Sequence, residues 1–136
     1  MYDSAVESLA RGELDWERDL VKVMLVIGDY RPSQTGDSSL DDVRAFEVEP
    51  SGTYVRGGDV LGDREVVRGA ANDILLHAGS VSWDDFTGQF RYAVTYRAEG
   101  GQLVGYADLG RQQAENVRVS LDYDQGFAEF ILERAA

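Results

Sequence analysis

The stretch "RYAVTYRAEGGQLVGYADLG", residues 91–110, decides the fold class. Over 91–97 the residues alternate, so Tyr92, Val94 and Tyr96 share one face of a strand. Gly100 and Gly101 break the run, and "AEGG" turns the chain into a second strand over 102–109, a hairpin. No base, nucleophile or ligand cluster flanks it. The best-defined stretch of the chain carries no chemistry of its own.

The same pattern continues toward the C-terminus. In "VRVSLDY" (117–123), Val117, Val119, Leu121 and Tyr123 are expected to face in, and Arg118, Ser120 and Asp122 to face water. "DQG" then turns into "FAEFIL" (127–132), a second hairpin. Upstream, "DLVKVMLVIGDY" (19–30) reads as a strand with Val21, Val23, Leu25 and Ile27 on one face. Leu20, Met24 and Val26 make the other face apolar too, apart from Lys22, which predicts a central strand. "FEVEPSGTYVRGGDVLG" (46–62) predicts one or two short strands. Residues 64–86 read as two strands or a strand and a turn, with "ANDILLHAG" open to a helical turn. Near the N-terminus, Ser4 and Glu7 have capping-box spacing, and Val6, Leu9 and Ala10 fall on one helical face. Gly12 is placed to end that helix.

These elements predict a mainly β fold, a small antiparallel β-sandwich or barrel with a short N-terminal helix. Its 136 residues fit a single β-rich domain, with a helical segment over 1–18 and a long loop over 31–43. A hydrophobic fraction of 43% fills a core at this size. The net charge of −12 argues against nucleic acid and anionic membrane as partners. There is no cysteine, hence no disulfide or thiolate site. No signal peptide is read, and "VMLVI" is too short to span a bilayer.

Motifs for chemistry are incomplete. His77 is the single histidine, without the three or four ligands a zinc site needs and without a G-x-S-x-G elbow. "DYDQG" (122–126) begins like a calcium loop but places Phe127 where the turn needs glycine. Asp41-Asp42 and Asp84-Asp85 read as solvated turn residues. "VRGGDVLG" lacks the spacing of a phosphate cradle. Arg91, Tyr92, Tyr96 and Arg97 read as cross-strand packing. No catalytic residue, cofactor or metal is expected.

The order of segments carries a resemblance. "SLARGELDWERDLVKVMLVIGDY" (8–30) is followed by "LDDV" (40–43) and "GTYVRGG" (52–58). Then come "WDDFTGQFRYAVTY" (83–96) and "LVGYADLG" (103–110). This ordering resembles small structural proteins encoded in the head–tail modules of tailed bacteriophages, over most of the chain. The resemblance implies a non-enzymatic virion component made in the bacterial host cytoplasm. Its partners would be other virion proteins, major capsid or neck and tail subunits, and it would be a homo-oligomer on the particle. A capsid decoration or cement role is the leading expectation, and a neck or minor tail subunit the alternative. On this reading the contact residues are Trp16, Tyr30 and Pro32 and the loop to Asp41 and Asp42, since Trp and Tyr anchor interfaces. A core role for Trp16, as a lid over the first strand, stays open. A different class, a carbohydrate-binding β-domain, would use Trp83 with Asp84 and Asp85.

Overall fold

A computed structural model describes residues 1–68, 74–123 and 129–134, with Ile74 and 129–134 as backbone alone. The fold is mainly β and sandwich-like, with two antiparallel sheets and one short helix, as the alternation predicts. The helix α1 is Asp3–Ala10. The strands are β1 Val21–Val26, β2 Asp59–Val60, β3 Glu65–Arg68, β4 Ile74–His77, β5 Val81–Arg97, β6 Leu103–Asp122 and β7 Glu129–Arg134. The larger sheet has the order β2-β1-β5-β6-β7, and β3 pairs with β4.

β1 is central, as its two apolar faces predict. It pairs with β5 from Val21 opposite Arg97 to Val26 opposite Tyr92, and with β2 through Lys22 opposite Val60. Val21, Val23, Met24, Leu25 and Val26 are all buried. In the last part of β6, Val117, Val119, Leu121 and Tyr123 are buried while Arg118 is exposed. The expected "DQG" turn at 124–126 and residues 127–128 lie outside the described residues. The strand that follows is 129–134, paired in register from Asp122 opposite Glu129 to Val117 opposite Arg134.

The sequence reading divides 81–123 into too many pieces. The stretches 91–97, 102–109 and 117–123 belong to two long strands of 17 and 20 residues. Their pairing shifts register at four places, between Trp83 and Phe86, Phe86 and Gly88, Phe90 and Tyr92, and Thr95 and Tyr96. Bulges of this kind raise twist and bend a ladder without ending it. Val81 pairs with Leu121, yet the Tyr123 hydroxyl lies 3.0 Å from Thr95 Oγ1 in the core. Thr95 is 14 residues up β5 from Val81, about 46 Å in a straight strand. The hairpin therefore folds back over itself, and one pair of strands supplies both walls of the core.

Two expectations about the helix are corrected. The helix begins at Asp3 with Tyr2 as its N-cap, so Ser4 is inside it and no Ser4–Glu7 box forms. Tertiary anchoring sets that start. Tyr2 donates its N–H to the Val104 carbonyl (3.1 Å) and buries its ring against Tyr106. Glu7 instead pairs with Arg11 at 2.7 Å. Val6 is 52% exposed, and Tyr2 and Ala5 face the core in its place. Gly12 has φ +73°, the left-handed conformation that ends the helix. Within 46–62 one short strand forms, β2, two residues long, in keeping with the one or two expected. In "ANDILLHAG" (71–79), residues 74–77 are strand rather than helix, and 71–73 lie outside the described residues.

Candidate functional site

A groove beside β1 combines a cavity, a buried carboxylate and converging cations. Its wall is the segment 46–61, which follows β1 antiparallel but leaves it midway. Ile27 N–H donates to the Phe46 carbonyl (2.9 Å), Val48 N–H to Leu25 (3.1 Å) and Leu61 N–H to Val21 (2.9 Å). Between these contacts, residues 49–57 swing out and a side chain replaces the missing strand. Leu25 N–H donates to the Tyr54 hydroxyl at 3.0 Å, where a neighbouring strand would put a carbonyl. The buried ring of Tyr54 packs on Trp83 (centroids 5.0 Å) and Phe86 (6.0 Å).

Tyr54 in turn donates a hydrogen bond to Glu47. The hydroxyl donates to Glu47 Oε2 at 2.7 Å, and Gly57 N–H donates to the same oxygen at 2.7 Å. The Glu47 side chain is only 5% exposed, with Arg56 4.0 Å from its other oxygen. A buried carboxylate needs such donors, because an unpaired one costs several kcal/mol. The Tyr96 hydroxyl donates to the Gly57 carbonyl at 2.6 Å, fixing the same turn from β5. Burial, and then the Glu47 charge, push Tyr96 up to about 12, while Arg44 opposes them. Burial raises Tyr54 further, with Glu47 adding to it. Gly58 has φ +77°, and a Cβ there would overlap the Val23 carbonyl oxygen. The glycine pair of "VRGG" thus lets the chain return against β1.

The groove itself is a cavity of about 410 Å³ bounded by Met24, Leu40, Arg44, Glu47, Gly57 and Tyr96, with Arg56 at its edge. A second cavity of about 300 Å³ shares Leu40 and Arg44 and runs on to Ala98 and Gly101. One wall of both is the 39–44 stretch, which contains Asp41. Both Glu47 donors are spent on one oxygen, and among the described residues no three His, Asp or Glu side chains converge for a metal.

The residues expected at an interface divide sharply. Asp41 and Asp42 are exposed, and Pro32 is half-buried. Asp42 accepts the Ser38 and Ser39 N–H groups at 2.9 and 3.1 Å, which hold its carboxyl below the usual range. Trp16 and Tyr30, by contrast, are 1% and 2% exposed and belong to the core. Trp16 Nε1–H donates to the His77 carbonyl at 2.9 Å, so it ties β4 to the body; its core placement agrees with the alternative reading, although this bond runs to β4 rather than to the first strand. The Tyr30 hydroxyl donates to Asp37 Oδ2 (2.6 Å) and shares a 2.8 Å hydrogen bond with Tyr2.

The 31–43 loop is likewise tied down. Ser33 N–H donates to Asp37, Asp3 N–H to the Gln34 carbonyl, Leu103 N–H to Ser38 and Leu40 N–H to Gly101. Trp83 is 2% exposed beneath Tyr54, so it presents no face for stacking a sugar. Sequence reading missed Glu47 and Arg64. Arg64 donates to the carbonyls of Trp16 (2.6 Å), Leu61 (2.5 Å) and Asp19, clamping 16–19 to 61. Neither residue belongs to a motif: Glu47 meets the Tyr54 hydroxyl and the Gly57 N–H across an irregular turn, and Arg64 meets carbonyls of Trp16 and Asp19, more than 40 residues back, as well as that of Leu61. No family model matches the chain, and neither a curated protein nor a solved structure does.

Proposed function

We propose that the protein is a structural subunit of a tailed-bacteriophage particle that works by binding other virion proteins, as a capsid decoration or cement protein. The observation that carries this reading is the groove, because it opens beside the exposed Asp41–Asp42 end of the loop expected to make contacts. A cement protein adds interface between neighbouring capsid subunits, and such interfaces set an apolar centre inside a polar rim. Met24, Leu40 and Tyr96 supply an apolar centre here, and Arg44, Arg56 and Asp41 a polar rim. The ordered resemblance of segments from 8–30 to 103–110 points the same way. A neck or minor tail subunit would use the same surface at much lower copy number.

Particle assembly tests the reading. Wild-type protein and Arg44→Glu are supplied in turn to particles lacking the protein, and bound copies are counted by quantitative mass spectrometry. Arg44 is exposed, so the variant should melt as wild type. The expected result is hundreds of wild-type copies per particle and a severalfold drop for Arg44→Glu. Equal incorporation of the variant, or no wild-type protein on particles, rejects the proposal.

A further inference from the structure

The groove also carries information about what it binds. Lys22, the chain's only lysine, stands opposite Tyr96 in the β1–β5 register. Its ammonium lies over Gly57, where a Cβ would sit 3.2 Å away. Among the described residues Lys22 makes no ion pair. Arg44, between the two cavities, has its nearest carboxylate at Asp41, 3.7 Å away with both side chains well exposed, a pair that water screens. Arg56 reaches Glu49 at 2.8 Å on the outer side. The inner carboxylate, Glu47, takes Tyr54 and Gly57 on Oε2, with Arg56 4.0 Å from its other oxygen. In a chain with 25 acidic and 13 basic residues, an ammonium without an ion pair among the described residues lies beside Gly57 and the Tyr96 hydroxyl, and the weakly committed guanidinium of Arg44 lines the same largely apolar groove.

We infer that the groove receives an extended segment of a partner protein, with an apolar side chain on Met24, Leu40 and Tyr96 and an adjacent carboxylate between Lys22 and Arg44. This rests on the subunit-binding reading and adds the partner's chemistry to it. The volume lies within the range of ordinary ligand sites, and the second cavity past Leu40 gives the segment a path along the surface. Positive charge at the rim of an acidic protein selects the acidic segment and rejects a basic one.

Because Lys22 is the only lysine, it serves as its own reporter. Reductive methylation with labelled formaldehyde keeps its charge and yields two dimethylamine signals, Lys22 and the Met1 amine. The folded, full-length protein is titrated with N-acetyl-leucyl-aspartate amide and with the asparagine and lysine analogues. The Lys22 signal should shift saturably with the aspartate peptide alone. Affinity should fall about tenfold in Arg44→Gln and weaken in about 0.5 M salt. Equal binding of the asparagine peptide removes the carboxylate, preference for the lysine peptide makes Glu47 the recognising group, and no saturable shift removes the site. Each overturns the inference. Self-association that the aspartate peptide abolishes overturns the choice of partner, since the occupant is then a second copy. Silence of all the peptides while Arg44→Glu still blocks incorporation removes only the ligand chemistry. Normal incorporation of Arg44→Glu removes the function proposed above.

Discussion

Raising the pH is expected to unfold this protein cooperatively, through its buried tyrosines. Burial is the largest cause that raises Tyr2, Tyr30, Tyr54, Tyr96 and Tyr123 above the ordinary value of 10, with neighbouring carboxylates adding to it at Tyr30 and Tyr54. All five are at most 3% exposed. In the unfolded chain they ionise near pH 10, while the native state keeps them neutral through pH 11, Tyr96 alone beginning to ionise toward pH 12. Their contribution to stability is therefore complete below pH 10 and is lost as pH rises above it. At pH 11 each unfolded tyrosine has released about one more proton than its native counterpart, worth about 1.4 kcal/mol. Five together remove about 7 kcal/mol at pH 11 and about 13 at pH 12. A domain of this size holds about 5–15 kcal/mol, so the midpoint should fall between about pH 10.5 and pH 12.5. Arginines stay protonated there, and with a single lysine few other groups change charge. The assay follows tyrosinate absorbance and far-ultraviolet circular dichroism together through the titration. Of seven tyrosines, no more than two should ionise before the backbone signal collapses. Ionisation of three or more with the sheet signal intact would refute the burial argument.

Other outcomes follow from single sites. Leu121→Ala should destabilise by about 2–5 kcal/mol, and Arg118→Ala, whose ion pair with Asp84 is exposed at 3.4 Å, by less than about 1 kcal/mol in urea melts. Glu47→Ala leaves the Tyr54 hydroxyl and the Gly57 N–H without their acceptor and should cost about 2–5 kcal/mol by the same assay. Deleting 33–39 removes Asp37 from Tyr30 and should lower the melting temperature by at least several degrees, where a detached loop would leave it unchanged. Acid should loosen the 38–42 turn, because the Asp42 carboxyl is held low by its backbone donors. That stability is present above about pH 4 and lost below it, and Asp42→Asn should flatten the pH dependence of amide exchange at Ser38 and Ser39.

Period and punctuation in the sequence determined a good deal. Alternation at 117–123 fixed which side chains of the last part of β6 enter the core, because a strand sends successive residues to opposite faces, whereas over 91–97 both faces are covered and residues 92–96 are all buried. The doubly apolar run at 21–26 fixed β1 as a central strand, and Gly12 fixed the helix end. These are local properties of the backbone. Tertiary structure alone decided the rest. The register shifts that fold β5 and β6 over themselves depend on which residues meet across the hairpin, so two long strands read as several short ones. Trp16 and Tyr30 look the same in sequence whether they anchor a partner or fill a core, and only their contacts with His77, Asp37 and Tyr2 bury them. The groove is the extreme case. Lys22, Leu40, Arg44, Glu47, Gly57 and Tyr96 come from four stretches of chain, and none carries a motif. They meet because Tyr54 stands in for a strand beside Leu25 and the glycine pair brings the chain back against Val23. Long-range pairing of this kind leaves no trace in local composition, since each partner is chosen by a residue tens of positions away.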